Sequence, residues 1–414
     1  MKGGYKMTDN TNKTISDYIV RKYTKELEGT TDKTVYDLFQ WKKVDVKLID
    51  YKKNEVLFDE KDLEFPEHYT QNACDIIAQK YFKRANVPNE LGKETSLKQI
   101  IHRMVRFWME AGLDEGLFNE ITAKIFYDEV VYMMLDQRIA PNSPQWFNTG
   151  LKYYDTGEGT DGHFYYDIKD KVVKQSTDKY SRTQASACFI LSIEDKLLGE
   201  KSISEQYVTE TRLFKHGSGT GTNFSPLRAK GEKLTGGGVS SGVMSFLTGL
   251  DRNAGTIKSG GTNRRSAKML QLNVNHPEIL DFITWKSQQE QIVRDLGKMD
   301  YDISFDGVAY NTVSGQNGNN TVRFDDDFMF KIYSYDTKGI DCDYELTGRV
   351  DKSINRKEKV SKIWDVMCQS IWDCADPAPS YDGTYNAWHT CPSGEDGILG
   401  AKHNRINSTN PLSI

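Results

Sequence analysis

The chain reads as an α/β protein with a helical N-terminal domain, and two observations lead there. From residue 184 onward short β-like runs (187–193, 268–274, 301–305 and 320–324) alternate with helical stretches such as 277–290 and 359–374. Before them, from about 66 to 140, apolar residues recur at helical spacing. The 414 residues suffice for two or three domains, or for one large domain with an extension.

Residues 1–65 are polar and rich in Lys and Asp, with one alternating stretch, Val44-Asp-Val46-Lys-Leu48, that predicts a strand. The sequence suggests no role for this segment. In the helical region Ser96 caps a stripe of Leu97, Ile100, Ile101, Met104, Val105 and Trp108, and Gly112 should stop that helix. The i, i+3, i+4 pattern predicts core packing, not a cofactor box. Residues 152–183 read as a polar loop region rich in Tyr, Lys and Asp.

Composition narrows the function. A net charge of −5 and a pI near 5.9 argue against a general nucleic-acid binder, whose footprint would be basic. No run approaches the 18 or so consecutive apolar residues of a membrane span. The N-terminus, Met1-Lys-Gly-Gly-Tyr-Lys-Met7, lacks the apolar core of a signal peptide. The six cysteines are too few and too scattered for a disulfide scaffold, and none has CxxC spacing, which argues against structural zinc. The expected location is the cytoplasm.

The chemistry concentrates between residues 187 and 268. Ala187-Cys188-Phe189-Ile190-Leu191 puts one cysteine in an apolar strand, where by itself it is an ordinary small hydrophobe. Glycines follow in three bursts: Gly217-Ser-Gly219-Thr-Gly221, Gly236-Gly237-Gly238 and Gly260-Gly261. Such clusters let backbone amides approach a polyanion. The first burst fails the dinucleotide fingerprint, which needs its third glycine three positions after the second and an acidic residue about 20 positions later. A basic loop from Lys258 to Lys268 carries Arg264 and Arg265. A thiol, phosphate-cradling loops and a basic loop in that order suggest redox chemistry on a nucleotide.

In wording and order this stretch resembles the large catalytic chain of ribonucleotide reductases. Pro141-Asn-Ser143-Pro-Gln-Trp-Phe-Asn-Thr-Gly-Leu151 looks like the substrate-entry segment of the adenosylcobalamin-dependent class, class II. So do Gly162-His-Phe-Tyr-Tyr-Asp167, Lys258-Ser-Gly-Gly-Thr-Asn-Arg-Arg265, Val313-Ser-Gly-Gln-Asn-Gly-Asn-Asn320-Thr-Val-Arg323, Trp388-His-Thr-Cys-Pro392 and Asn407-Ser-Thr-Asn-Pro411. The resemblance covers roughly residues 65–411, and its specificity lies in the joint occurrence.

It implies a helical reductase domain over 66–183 and the first half of a ten-stranded α/β barrel over 184–414. The nucleotide-binding cone that often precedes such enzymes is not recognisable. The implied activity is radical reduction of ribonucleotides, as diphosphates, to 2′-deoxyribonucleotides for DNA synthesis, with adenosylcobalamin as cofactor. Cys188 aligns with one of two thiols that reduce the substrate and close into a disulfide, and its partner lies beyond residue 414. Asn410 aligns with the residue that hydrogen-bonds the ribose. Ser143, by itself a turn former, aligns with a substrate contact, and Ala187, Gly217 and Gly219 flank the ribose and phosphates. Asp195, by itself a solvated surface aspartate, aligns with a residue on the deoxyribose of an allosteric nucleotide at a dimer interface. Lys230–Gly242 and Lys258–Lys268 resemble the two specificity loops, with Lys258, Arg264 and Arg265 as effector contacts. No metal ligands are implied. Cys342, Cys368 and Cys374 read as structural, and Cys391 carries no assigned role.

The end departs from the family wording, Asn-Pro-Cys-Ser-Glu. Leu412 stands where the thiyl cysteine belongs and Ile414 where the general-base glutamate belongs. The expectation is a chain inactive alone, completed by a C-terminal half as a second chain or spliced segment. The other expected partners are ribonucleotide, a dNTP or ATP effector, a thioredoxin-type or dithiol reductant and a second copy, with no membrane or direct nucleic-acid contact. Two alternatives stand: a non-catalytic nucleotide-binding regulator, or a large chain served by a separate metal radical subunit. The Gly162-His-Phe-Tyr165 region favours cobalamin over the latter.

Overall fold

A computed structural model describes residues 14–50, 55–154, 159, 162–167, 169–259, 264–304, 307–390 and 405–410. The chain forms two compact units, Met1–Ser186 and Ala187–Ile414. Among the described residues no helix is long and apolar enough to cross a membrane.

In the first unit β1 (Trp41–Asp50) pairs antiparallel with β2 (Glu55–Pro66), so the alternating Val44–Leu48 stretch is a strand as expected. Helices α1 (Gln71–Lys80), α2 (Leu97–Asp114) and α3 (Glu120–Leu135) follow, then the short α4 (Ser143–Asn148). Ser96 caps α2 in a reciprocal box with Gln99. The predicted stripe of Leu97, Ile100, Ile101, Met104 and Val105 is buried against Val46, Leu63 and Phe65 of the hairpin. Gly112 does not stop α2. It lets the Phe118 ring rest on the helix, where a Cβ would come within 2.0 Å of it. The segment read as loop over 152–183 contains a small hairpin, β3 (Phe164–Asp167) with β4 (Val172–Gln175).

One polar cluster organises the end of this unit. Arg103 of α2 is buried and pairs through Nε with Glu94 Oε1 at 2.8 Å. Its two remaining nitrogens donate to Trp146 O and Thr149 O, both at 2.6 Å, serving carbonyls that the last turn of α4 leaves open. Gly150 then turns the chain at φ +77°, with its Cα so close that a Cβ would lie 2.3 Å from Arg103 O. The Pro141–Leu151 motif is therefore shaped by a residue nearly forty positions upstream.

The second unit is built on β5 (Cys188–Leu191), α5 (Ile203–Lys215), β6 (Gly219–Asn223), α6 (Val243–Thr256), the antiparallel pair β7 (Lys258–Ser259) and β8 (Arg264–Arg265), β9 (Lys268–Asn273), α7 (Ile279–Lys298) and α8 (Val308–Thr312). It continues with β10 (Asn319–Phe324), α9 (Asp326–Lys338), the pair β11 (Asp343–Leu346) and β12 (Arg356–Lys359), α10 (Val360–Cys374), β13 (Ala378–Tyr381) and α11 (Asp382–Ala387). Five strands form one parallel sheet in the order β13-β10-β9-β6-β5, as the half-barrel expectation required. Leu270, Leu272, Val322 and Phe324 pack with apolar residues of α6, α7, α9 and α10 in one core.

Two expectations fail here. The run 301–305 is not a strand over its described residues. The Asp302 carboxylate accepts from Ser304 N at 2.8 Å and its carbonyl from Ala309 N, folding the chain into α8. Lys268 belongs to no loop. It is the first residue of β9, buried, with Nζ 2.6 Å from Glu210 Oε2 of α5.

Arg103→Leu should destabilise the first unit by about 3–5 kcal/mol, because Glu94 stays buried without its cation. Urea unfolding followed by tryptophan fluorescence should show its transition at markedly lower denaturant. An unchanged midpoint would remove Arg103 from the account of this unit.

Candidate functional site

Side chains alternate along a strand, so the sheet's second face carries Cys188, Gly219, Gly221, Gln271, Thr321 and Arg323. Their register is direct: Cys188 lies beside Gly219, Ile190 beside Gly221, Gly221 beside Met269, and Gln271 beside both Asn223 and Thr321. Residues 405–410 cross this face as a strap without regular structure. Asn223 Nδ2 donates to Asn407 O at 2.9 Å, and Arg323 donates to Ile406 O. The buried Gln271 amide uses both ends on Thr409, accepting from its N–H at 3.2 Å and donating to its Oγ1 at 2.7 Å.

The strap touches β6 where there is no side chain. A Cβ on Gly221 would lie 1.8 Å from Thr409 O and 2.9 Å from Asn410 Cα. Asn410 is thereby held over the strand next to the one bearing Cys188. The expected sites Cys188, Gly219 and Asn410 share one sheet face, and the Ala187 carbonyl accepts from Gly219 N at 2.6 Å. The glycine burst is not the loop the resemblance implied. Gly217, at φ +86°, ends α5 in the left-handed region, while Gly219–Asn223 is a central strand. Gly221, which the sequence reading did not single out, is where the strap approaches β6. Its place as the last glycine of the burst was the available signal.

Ser143 begins α4 in the first unit, and its hydroxyl is 3.2 Å from Tyr81 Oη. Asp195 is not a solvated surface aspartate: Oδ2 is 2.5 Å from Arg228 Nε, and Arg228 Nη1 reaches Lys233 O at 3.0 Å. Sequence reasoning passed over Arg228, which had no motif around it. Lys258, Arg264 and Arg265 lie on the β7–β8 pair, and their side chains fall outside the described residues, as do Cys391, Leu412 and Ile414. The five described cysteines form no disulfide with one another.

The 230–242 segment is tethered by charge. Glu232, fully buried, accepts from the backbone N–H groups of Ala229, Arg349, Val350 and Asp351 at 2.6–3.1 Å. Burial pushes its carboxyl up, but those donors together outweigh it and hold the group below the usual carboxylate range. Nearby, burial drives the His276 imidazole down to about 4. Nδ1 accepts from Glu278 N at 3.1 Å, so Nε2 carries the proton and donates to Leu227 O, also at 3.1 Å.

Residues 186–412 match the model of the ribonucleotide reductase barrel domain. Residues 43–137 match a model described as class II vitamin B12-dependent ribonucleotide reductase. The chain is similar to the vitamin B12-dependent ribonucleotide reductase of Streptomyces coelicolor, 38% identical over 91% of this chain and 34% of the relative. It is 35% identical to that of Agrobacterium fabrum, over 82% of this chain and 34% of the relative. A vitamin B12-dependent ribonucleoside-diphosphate reductase of Thermoplasma acidophilum is 28% identical over 72% of this chain and 33% of its own length. The chain spans about a third of the length of the curated relatives it matches.

Gly221→Ala should drive the strap off the sheet, because the obstacle is backbone and cannot rotate away. Exchange of the Thr409 amide hydrogen should accelerate strongly while amides in β9 stay protected. Equal exchange in both proteins would refute the contact. For His276, the folded imidazole binds a proton more weakly than the unfolded one. Stability should therefore fall by up to about 3 kcal/mol as pH drops from 6.5 to 4. A His276 resonance titrating near pH 6.5 in the native protein would contradict this.

Proposed function

The chain belongs to the ribonucleotide reductase family, in its vitamin B12-dependent class, and from that premise we propose that it supplies the substrate and effector elements of a ribonucleoside-diphosphate reductase. The supporting observation is Asn410 laid over Gly221 on the sheet face that carries Cys188. A nucleotide ribose lying on that face would meet a hydrogen-bonding amide and a thiol, with glycine backbone at β6.

The cofactor is adenosylcobalamin, and the donor set of this face suits it. Thr321 Oγ1, Ser380 Oγ and Arg323 Nη1 are buried without hydrogen-bond partners among the described residues, and buried donors of this kind call for acceptors. The amide carbonyls and ribose hydroxyls of the cofactor are such acceptors. When bound, the group supplies a carbon radical by homolysis of its cobalt–carbon bond.

The residues of this chain then bind, orient and reduce. Asn410 hydrogen-bonds a ribose hydroxyl, and the glycine strand lines the nucleotide. Cys188 and a second thiol deliver two electrons and two protons. The C2′–O bond breaks, the oxygen leaves as water, and an S–S bond forms between the two sulfurs. A dithiol reductant of thioredoxin type reopens it. Cα atoms of the pair must come within about 4.4–6.8 Å.

A second region reads an allosteric deoxynucleotide. Asp195 takes its sugar hydroxyl, and Arg228, held against Asp195, offers a guanidinium to phosphate. The 230–242 segment and the loop bearing Lys258, Arg264 and Arg265 sense its base and carry the signal to the substrate, in a homodimer. Leu412 and Ile414 provide neither an S–H nor a carboxylate, which favours a nucleotide-binding regulator as the second reading.

The two readings part on restored turnover. Residues 1–414 alone should reduce no ribonucleotide. Extended from Pro411 with a Cys-Ser-Glu continuation and second half-barrel, the protein should turn over with adenosylcobalamin. In that enzyme Cys188→Ser should abolish multiple turnover with dithiol while cofactor binding stays near wild type. Sustained reduction by the Cys188→Ser enzyme would overturn the thiol's role, and an inert extended enzyme that still binds deoxynucleotide would favour the regulator.

A further inference from the structure

Both ends of the 230–242 segment converge on one carboxylate oxygen. Glu278 Oε2 accepts from Lys230 N at 3.0 Å and from Val243 N at 2.9 Å. Between those ends the chain folds back on itself, Gly231 N donating to Ser240 O, Ser240 N to Glu232 O and Leu234 N to Gly238 O. The Gly236–Gly238 tip is exposed, as are Leu234 and Val239 beside it. The segment is thus closed at its base and free at its tip.

The base is built to admit that carboxylate. Gly242 sits at φ +89°, and a Cβ there would come within 2.5–2.8 Å of the Glu278 carboxylate atoms. Glu278 in turn stands in the turn between β9 and α7, its own N–H held by the buried His276. Through β9 it is continuous with the strand that the Lys258–Arg265 loop leads into. Burial pushes the Glu278 carboxyl up, with the backbone donors opposing. A buried carboxylate is a costly way to fasten a turn. A neutral amide could still turn one oxygen to both N–H groups, but without the charge that strengthens each of those bonds.

We infer that Glu278 is a positioning residue that sets the 230–242 segment for discriminating the base of a bound deoxynucleotide, by joining both ends of the segment to the β9–α7 turn. The inference rests on the effector reading given above. Glu278 touches no nucleotide in it. The carboxylate acts only through the backbone it holds, so its loss should alter which base is preferred more than whether a nucleotide binds.

The test uses the full chain with Glu278→Gln. Glu278→Asp, which keeps the charge but withdraws it by one methylene, serves if the glutamine variant fails to fold. Amide exchange at Lys230 and Val243 should quicken about tenfold, because their bonds to Glu278 lose the assistance of its charge. Ala229, held by Glu232, should stay protected. The ratio of dissociation constants for dTTP and dATP, measured by calorimetry, should change about fivefold or more. Asp195→Ala, aimed at the sugar common to both ligands, should weaken the two equally. Protected Lys230 and Val243 amides, or an unchanged ratio despite opened amides, would overturn the role of Glu278. If Asp195→Ala binds both nucleotides as wild type does, or wild type binds neither, the effector reading falls, and this inference with it.

Discussion

The Thr409 carbonyl occupies the space that a side chain on residue 221 would take, 1.8 Å from its ideal Cβ position, and the second unit is arranged around that approach. A parallel sheet normally needs cover on both faces. Here helices cover one face through Leu270, Leu272, Val322 and Phe324. The other face receives a strap of irregular chain, which can lie flat only where β6 has no side chain. The strap residue Asn410 lies over β6, beside the cysteine strand β5, because Gly221 takes up no room.

Buried charges hold what apolar packing leaves loose. Lys268 and Glu210 tie β9 to α5, and Gln206 adds bonds from α5 to Glu210 and to Thr222 of β6, each 2.9 Å. Arg103 and Glu94 do the same for the turn after α4. Such pairs gain little over a well-packed apolar substitute, but they tolerate the loss of one partner badly. Their effect is therefore directional: each specifies which helix faces which loop. The Glu232 carboxylate works in the same way, binding a turn near residue 350 through backbone N–H groups alone.

Much of the fold was legible because short β-like runs alternate with amphipathic helices. The runs at 187–193 and 268–274 contain β5 and β9, and 320–324 covers β10 but for Asn319. The run at 301–305 misled because one aspartate, Asp302, could satisfy the backbone locally. The β3–β4 hairpin was hidden by polarity, since Phe164-Tyr-Tyr-Asp167 and Val172-Val-Lys-Gln175 bury little on either side. At the site, motifs singled out Cys188 and Asn410, but not what lays the strap on the sheet. Gln271 and Arg228 are single polar residues without a motif around them, Arg323 closes a motif that says nothing of its partners, and those partners lie tens of residues away or more. No local spacing encodes such a meeting. Gly112 shows the converse: a glycine that reads as a stop is a landing place for Phe118.

The strap is recognised largely through its main chain. Asn223 and Arg323 grip its carbonyls, Gln271 takes a peptide N–H, and Thr409 adds its hydroxyl. An anchor of that kind is blind to most of what the strap spells. Residues such as Asn407 can drift without altering its route, whereas an amide lost from the sheet would alter it at once. The tolerance to mutation is thus unequal across a single contact: the groove is the conservative party, and the ribbon lying in it, Thr409 and Asn410 apart, is free to vary.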